Sequence, residues 1–259
     1  MGDAELQACL ALQYETWGAG FREAVPPSIM LVAQKIGGVA AGAFDSRGKL
    51  LGFIFGLTGL RKGEVVHWSD MLAVRADVQN SGIGRQLKEY QRRAAATVGA
   101  RSVLWTFDPL QARNAHLNFN VFGARPAEYV VNMYGESTGS DLHRGVGTDR
   151  LVMEWPVDDE ELARQKTEIA AARSDAEFHD ALEIGDPERP SMAKLDELTH
   201  LRVLVPPDLA DLLRTNPQRA VEWRQRNRAA LQGALSRGFR IQGFARGQDS
   251  RGGAYLLSR

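Results

Sequence analysis

This 259-residue sequence has one cysteine, no excess of either charge and no long apolar run. A single cysteine, Cys9, excludes an internal disulfide framework and a zinc site built from cysteines. The five histidines are scattered without the short spacing of metal ligands, so we expect no bound metal. The scarcity of cysteine suits a reducing, cytoplasmic setting.

Charge and hydropathy also exclude several classes of partner. Lysine plus arginine and aspartate plus glutamate each number 32, so the net charge is zero, and we expect neither nucleic acid nor a membrane as a partner. Several arginines fall in a predicted helix over residues 217–237, which we interpret as a solvated face rather than an RNA-binding one. The acidic N-terminus does not resemble a secretory signal, and no apolar run approaches the roughly 20 residues that cross a bilayer.

The order of apolar runs and turn residues predicts a mixed α/β fold. An amphipathic helix over residues 3–17 precedes three apolar runs, at 30–44, 50–60 and 65–74, which tight turns join into an antiparallel meander. A helix and a short buried run at 102–107 follow. Because strand, helix and strand form a crossover, the third and fourth strands should be a parallel pair.

The remaining sequence predicts the domain organisation. A helix near 114–122 and two further strands complete residues 1–157, which we expect to form one domain. Residues 158–199 are polar and are predicted as a helical and loop linker. Residues 200–259 regain a strand–helix–strand–strand order, so they are either a degenerate copy of the half-fold at 102–157 or similar to it by chance.

A loop with two glycines is the most informative stretch of the chain. The pattern Gln-x-x-Gly-x-Gly runs from Gln79 to Gly84 and lies between a predicted strand and a predicted helix. The N-terminus of a helix attracts anions, and glycine lets the backbone approach them closely. Leu87 replaces the third glycine of a dinucleotide site, and Arg85 replaces the lysine of a Walker loop. The residues alone leave two alternatives, a phosphate site of another kind and a tight turn.

In its setting, this loop resembles the acyl-CoA-binding motif of the GNAT N-acyltransferase superfamily. Gln79 matches the arginine or glutamine that opens the motif, and the order of elements over residues 3–157 matches that fold. A closer resemblance is to a GNAT subgroup with a C-terminal extension, some members of which look like N-succinyltransferases acting on amino acids. The matching residues are Trp105-Thr106-Phe107-Asp108-Pro109-Leu110, Asn114-Ala115, Leu117-Asn118, Phe122-Gly123-Ala124, Arg144-Gly145, Thr148-Asp149-Arg150 and Glu154-Trp155.

The resemblance implies a GNAT-like, mostly antiparallel sheet with a splayed central parallel pair, followed by a smaller α/β extension. In that family the splayed strands bind the pantetheine arm of CoA much like an added strand. The implied co-substrate is acyl-CoA, either acetyl-CoA or succinyl-CoA, with no metal. Asn114 is implied to contact CoA, although it also suits a helix N-cap. The full implied CoA-binding set is Leu72, Ala73, Val74, Gln79, Asn80, Ser81, Gly82, Ile83, Gly84, Arg85 and Asn114.

Two residues of the third strand are candidate bases for the chemistry that the resemblance implies. A primary amine that attacks a thioester must lose a proton, and an acid assists the leaving thiolate. Asp70 is the first candidate base, and we expect it to share a strand face with Trp68, Leu72 and Val74, where desolvation would favour its protonation. A local cap or an arginine partner is the alternative role. His67, on the other face, is either a second catalytic candidate or a histidine of the core or surface.

The acid and the substrate-binding residues are less clearly marked. Phe119 stands where the family often carries a tyrosine as general acid, so either the thiolate leaves unassisted or another group protonates it. Tyr129 and Tyr134 lie in the next predicted strand, and Tyr134 is the candidate acid, with a core tyrosine as the alternative. Arg144 and Arg150 are candidates for holding a carboxylate, because guanidinium groups match carboxylates in geometry. A surface ion pair of Arg150 with Asp149 or Glu154 is the alternative.

Three functions stay open at this point. The first is an N-acyltransferase that moves an acetyl or succinyl group from acyl-CoA to the primary amine of a small molecule such as an amino acid. The second is a non-catalytic acyl-CoA-binding module that associates with a partner or with itself, for which a homodimer through the tail is one arrangement. The third makes a protein lysine or N-terminus the acceptor.

Overall fold

The structure is a computed structural model, and it describes residues 1–135, 145–188, 195–247 and 252–259. Within these residues the chain divides into two units. The first unit holds residues 1–105 and 156–159, and the second holds residues 106–135, 145–155 and 160–259. The division of the sequence at 157 and 199 remains a prediction, and the two units divide the chain elsewhere.

The first unit is built on an antiparallel meander with a parallel strand added to it. Strand β1 pairs antiparallel with β2, β2 pairs antiparallel with β3, and β3 pairs parallel with β4, as predicted. The elements are α1 (Asp3–Trp17), α2 (Pro27–Lys35), β1 (Val39–Phe44), β2 (Leu50–Arg61), β3 (Glu64–Val74), a 3-10 turn (Ala76–Val78), α3 (Ile83–Thr97) and the first residues of β4 (Ser102–Phe107).

The prediction of one extended run over 30–44 is wrong for its first part, which belongs to helix α2. Pro27 occupies the first turn of this helix, where its missing N–H group has no helical partner to lose. Met30 and Ala33 lie three residues apart and are both buried, whereas Ile29 and Val32 are exposed. An uninterrupted apolar run therefore concealed a helical period, and only the segment from Val39 onward is a strand.

Two apolar layers hold the helices of the first unit against its sheet. Helices α1 and α2 pack on one face, where Phe53, Phe55 and Met71 lie in a common core. On the other face, Ile54 packs with Leu87 of α3. The thiol of Cys9 lies in the core between α1, α2 and the sheet. Burial is the main cause that raises its pKa to about 12.

The second unit contains the end of the predicted first region together with the C-terminal extension. Strands β5 and β6 pair antiparallel, and a second sheet has the strand order β7-β8-β10-β9. The extension is α/β, in agreement with the predicted fold class. The elements are α4 (Ala112–His116), which continues as a π-helix (Leu117–Phe122), β5 (Arg125–Val130), β6 (Arg150–Pro156), α5 (Asp159–Ser174), β7 (Leu182–Ile184), β8 (His200–Val205), α6 (Leu209–Thr215), α7 (Pro217–Leu235), β9 (Arg240–Arg246) and β10 (Gly253–Ser258).

Aromatic residues fill the core of the second unit, and their polar atoms are paired. The indole of Trp155 donates a hydrogen bond to the carbonyl of Phe122 at 2.9 Å. The hydroxyl of Tyr255 donates to the carbonyl of Pro109 at 2.7 Å, while its ring contacts Phe119 edge-on. Phe119 is therefore a core residue that shares its surroundings with the extension.

The described residues contain neither a membrane-spanning helix nor a cluster of metal-ligating side chains. None of the helices in this part of the chain has both the length and the apolar character needed to span a bilayer. The same residues contain no group of three or more histidine, cysteine, aspartate or glutamate side chains placed to hold a metal ion.

Candidate functional site

The parallel pair β3–β4 is hydrogen-bonded along only part of its length. Residues 66–68 pair with residues 102–104, and the amide of Arg101 donates to the carbonyl of Val65 at 2.8 Å. Among the described residues no strand pairs with β3 on this side beyond Trp68. The gap that opens here, beginning at Ser69 of β3 and Trp105 of β4, is called the fork below. The fork is the splay that the resemblance implies.

Strand β3 carries a bulge at its entry to the fork. Gly56 of β2 pairs with Ser69 and Phe55 pairs with Met71, so Asp70 has no partner on β2. An extra residue of this kind bends a strand and changes the direction of its side chains. The sequence pattern alone gave no signal for the bulge, because β3 is apolar or small on both sides of it.

The bulge corrects the predicted faces of β3. The hydroxyl of Ser69 contacts Lys88 on α3, and Leu72 packs in the apolar layer on α3 as well. Residues three apart in a regular strand point to opposite faces. The prediction that Trp68, Asp70 and Leu72 share one face is therefore wrong, because one inserted residue reverses the alternation.

Asp70 carries a partly desolvated carboxyl at the bulge. Its side chain is exposed, yet protein atoms crowd the carboxyl, and this partial desolvation is the main cause that raises its pKa. The negative charge of Glu23 raises the pKa further. Within the described residues, no side chain forms an ion pair or hydrogen bond with Asp70. The cap and the arginine partner considered for it from the sequence are thus not found there.

His67 has the surroundings of a core histidine. It is fully buried, and its Nδ1 lies 2.9 Å from the hydroxyl of Thr58. That hydroxyl donates its only hydrogen to the carbonyl of Gly37 at 2.7 Å, so Nδ1 must be the donor to Thr58. Desolvation, and then the charge of Lys88, lower the pKa of His67 to about 4. A neutral, buried imidazole favours the structural role over the catalytic one.

The glycine loop presents free amides at the end of β3 that borders the fork. Gly82 is the N-cap of α3 and has a φ of 89°, a left-handed conformation that favours glycine. The amides of residues 81–85 have no hydrogen-bond partner among the described residues, and the first helical bond runs from Gln86 to Gly82 at 3.0 Å. These amides lie at the positive end of a 15-residue helix.

Side chains of the loop brace it against the end of β3. The amide of Gln79 donates to the carbonyl of Val74 at 3.3 Å, and the hydroxyl of Ser81 donates to the carbonyl of Val78 at 2.6 Å. A Cβ placed on Gly84 would lie 3.6 Å from Val74, an ordinary van der Waals distance, so the first turn of α3 lies against the end of the strand. Arg85 is exposed beside the free amides.

The other predicted site residues that the structure describes belong to the second unit. Asn114 is exposed and is the third residue of α4, whose N-cap is Gln111, so the N-cap alternative is wrong. Tyr134 lies in a turn after β5 and not in the predicted strand, and its hydroxyl is 3.1 Å from that of Thr106. The guanidinium of Arg150 lies over the Tyr134 ring at 5.3 Å. Arg144 lies outside the described residues.

Arg150 is positioned by burial as well as by Tyr134. Its guanidinium donates to the carbonyl of Asp149 at 2.9 Å, and desolvation is the main cause that lowers its pKa. Asp108 opposes this shift through its charge. The surface ion pair considered for Arg150 from the sequence does not fit a residue that is only 6% exposed.

Sequence reasoning missed Lys88, a buried residue of α3. Its ammonium donates to the hydroxyl of Ser69 at 2.8 Å and lies 3.9 Å from the centre of the Trp105 ring. Desolvation lowers the pKa of Lys88 to about 7. Two large apolar residues of α3 and its C-cap, Tyr90 and Val98, are exposed. The residues actually buried on α3 are Leu87, Lys88, Gln91, Arg92 and Ala95.

The prediction of a solvated arginine face on α7 is wrong for Arg224. This guanidinium is 3% exposed, and it donates to Asp108 at 2.6 Å and to the carbonyl of Val146 at 2.9 Å. Arg228, one turn further along, forms a two-pronged pair with Asp149 at 2.6 and 2.8 Å. The spacing of these two residues at i and i+4 was the signal for a shared face.

Comparisons with known proteins find similarity in fold alone. No protein-family model matches the chain, and no curated protein matches it. Naa20 from Chaetomium thermophilum, solved with a bisubstrate analogue, is 18% identical, with a TM-score of 0.48 over 60% of this chain and 84% of that one. The ribosomal-protein-S18-alanine N-acetyltransferase from Escherichia coli is 18% identical, with a TM-score of 0.46 over 61% and 91%. Aminoglycoside 6'-acetyltransferase type Ii is 16% identical, with a TM-score of 0.45 over 59% and 90%.

Proposed function

We propose that this chain is an N-acyltransferase that binds acyl-CoA along the fork and the glycine loop and passes the acyl group to a primary amine. The observation that carries the proposal is the continuity of two binding elements in the first unit. The unpaired edge of β3 over residues 69–74 leads directly into the free amides of residues 81–85. An elongated ligand with amides at one end and phosphates at the other matches this order of groups.

The edge of β3 supports the placement of the pantetheine arm. Backbone N–H and C=O groups on an unpaired strand edge bind an extended chain by adding it to the sheet. Pantetheine contains two amide groups and is long and flexible, so it can take that place. Leu72, Ala73 and Val74, whose other edge is bonded to β2, are the residues proposed to receive it.

The glycine loop supports the placement of the pyrophosphate. Converging N–H groups at the N-terminus of a helix stabilise phosphate oxygens, and Gly82 provides the left-handed turn that this convergence needs. The exposed Arg85 adds a charge beside the amides. Asn80 also adopts a positive φ, of 66°, which shapes the start of the same turn.

Asp70 is the residue proposed to take the proton from the acceptor amine. The amine nitrogen then forms a bond with the thioester carbon, the C–S bond breaks, and the thiolate of CoA leaves. A raised pKa brings the carboxyl closer to neutral pH, which makes it a better base. A backbone N–H group near Leu72, on the edge of β3 that has no strand partner, is proposed to polarise the thioester carbonyl.

The finer details of substrate and assembly are part of the proposal. The acceptor proposed is a small molecule with a primary amine, such as an amino acid, whose carboxylate Arg150 is proposed to bind. The donor is acetyl-CoA or succinyl-CoA, and Asn114 is proposed to contact it. Tyr134 stays proposed as an acid, and a homodimer stays proposed for the assembly.

A non-catalytic acyl-CoA-binding module is the second candidate, and one observation favours it. Phe119 stands at the position where the family often has a tyrosine that acts as the general acid, and it lies fully buried against Tyr255. A core phenylalanine offers no proton to a leaving thiolate. This candidate predicts CoA binding without turnover of any amine.

Calorimetric titration with acetyl-, succinyl- and free CoA tests binding, and release of free thiol with a panel of amines tests transfer. The variant Gly82→Ala should weaken CoA binding at least tenfold, because alanine strains the left-handed cap that orients the amides. Gly48→Ala is the matched control, since Gly48 has a similar φ of 78° in an open turn with no atom near its Cβ position. Equal effects of the two variants on affinity, or no binding of any CoA, would contradict the proposal.

A further inference from the structure

Lys88 is a buried cation placed at the entry to the fork. Its ammonium touches both strands that form the fork, through the hydroxyl of Ser69 on β3 and the ring of Trp105 on β4. The residue is only 4% exposed. A lysine in such a place loses most of its hydration, and this loss is costly unless a partner replaces it.

No carboxylate stabilises this ammonium within the described part of the chain. Strand β3 presents the neutral His67 to it, and β4 presents Trp105. On α3 itself, Arg92 is paired with Glu89 and with Asp159. Desolvation is the only cause that shifts the pKa of Lys88, so no described acid offsets it.

Ser69 connects this lysine to the open part of the fork. Its oxygen accepts the hydrogen bond from Lys88, so its own hydrogen is left for a second acceptor. Ser69 is the first residue of β3 beyond the paired segment, and it directly precedes the bulge at Asp70. A hydrogen bond from an ammonium polarises a hydroxyl and makes it a stronger donor.

We propose that Lys88 is a positioning residue that acts through Ser69 to deliver a proton to the leaving thiolate of CoA. As the C–S bond breaks, Ser69 gives its hydroxyl proton to the sulfur, and Lys88 gives an ammonium proton to Ser69. Lys88 then regains a proton from solvent, while the proton lost by the acceptor amine leaves by way of Asp70. The inference rests on the proposed function, because the thiolate arises only if acyl-CoA reacts at the fork.

Two further observations agree with this relay. Phe119 lies in the core and cannot donate a proton, so the leaving thiolate needs another proton donor. A pKa of about 7 lets Lys88 give up and regain a proton near neutral pH, which is the condition for efficient acid catalysis.

The test compares Lys88→Met and Ser69→Ala with Arg93→Met, which removes an exposed cation from the same helix. Lys88→Met should lower kcat about 100-fold, a typical effect of losing acid catalysis, while KM for acyl-CoA and its Kd stay within about twofold. The wild-type value of kcat/KM should fall as pH rises through about 7, and Lys88→Met should lose this alkaline limb. Arg93→Met should keep both the rate and the limb.

Ser69→Ala and the double variant guard against a purely structural effect. Ser69→Ala should lose the same alkaline limb. The double variant that combines Lys88→Met with Ser69→Ala should be no slower than either single variant, because the losses in rate from two residues of one relay do not add. A Lys88→Met enzyme that keeps its alkaline limb, or a double variant with multiplied losses, would overturn the relay while leaving acyl transfer established. If the wild-type protein binds CoA but transfers to no amine, acyl transfer fails and the relay falls with it.

Discussion

Arg224 of α7 and Asp108, the residue directly after β4, form a buried ion pair in which Nη2 and Oδ2 are 2.6 Å apart. The side chains are 4% and 2% exposed. The pair joins the C-terminal extension to a segment that carries the subgroup resemblance, within one unit of the fold. The extension is therefore part of the second unit's interior and not an appendage to it.

Removing one partner of this pair should destabilise the protein strongly. Arg224→Leu removes the buried cation that pairs with the carboxylate of Asp108, at a loss of about 3–5 kcal/mol in the free energy of unfolding. Urea denaturation measures the change. Arg214→Leu is the matched control, because Arg214 and Asp211 are also 2.6 Å apart but exposed, and its loss should stay below about 1 kcal/mol. Equal losses would show that burial does not determine the strength of these pairs.

Lys88→Met should remove a pH dependence from the stability of the protein. The pKa of Lys88 falls from 10.5 to about 7 on folding, so between these values the unfolded chain holds a proton that the folded chain lacks. Wild-type stability should therefore rise from pH 7 to 10.5, by about 5 kcal/mol at most, and Lys88→Met should lack this rise. Below pH 7 the variant should be as stable as the wild type or more so, and urea midpoints across this range check it. A less stable variant at pH 7 would contradict the assigned burial penalty.

His67 should make the protein sensitive to mild acid. Its pKa is lowered from 6.5 to about 4, so as pH falls through this window the unfolded chain takes up a proton that the folded chain refuses. Stability should fall by about 3 kcal/mol at most between these values. His67→Gln should reduce the fall, and the exposed His179→Gln should leave it unchanged. Acid titration of the urea midpoint is the measurement, and identical curves for all three proteins would refute the assignment.

Asp70 and Glu23 should together set the acid side of the pH–rate profile. Asp70→Asn should lower kcat about 100-fold, as is typical for the loss of a general base. The rate should rise with pH above the ordinary pKa of an aspartate, because desolvation and the charge of Glu23 both raise the pKa of Asp70. Glu23→Gln should move this rise to lower pH without abolishing it. An acid limb that Glu23→Gln does not move would mean that another group controls it.

Local patterns were sufficient to predict the elements around the glycine loop. The antiparallel meander, the parallel pair and the left-handed turn at Gly82 depend on residues that are close in sequence, namely turn residues, a change of hydrophobic period and a glycine where positive φ is needed. The same reasoning failed at α2, because an apolar run hides a helical period when most of its residues are apolar. Pro27, which lies three residues before that run and in the first turn of α2, was the unused signal.

The candidate site was predictable only in part, because its chemistry depends on neighbours that are distant in the chain. Gln79, Gly82 and Gly84 were predicted from a local pattern together with its resemblance to a known motif. The faces of β3 were not, since the bulge at Asp70 depends on how β2 pairs with it. For the second unit, the sequence suggested which residues could take part in the chemistry but not which residues they contact. The guanidinium of Arg150, for example, lies over the ring of Tyr134.

The sequence by itself determined the order of strands and helices, the glycine turn that begins α3 and the absence of a disulfide framework, because each of these follows from local conformational preference or from composition. Only the tertiary structure decided that Lys88 lies buried at the fork and that Arg224 lies inside the second unit. A polar side chain is solvated or buried according to which distant segments cover it. The energies of these charged groups therefore arise from packing, which no run of neighbouring residues specifies.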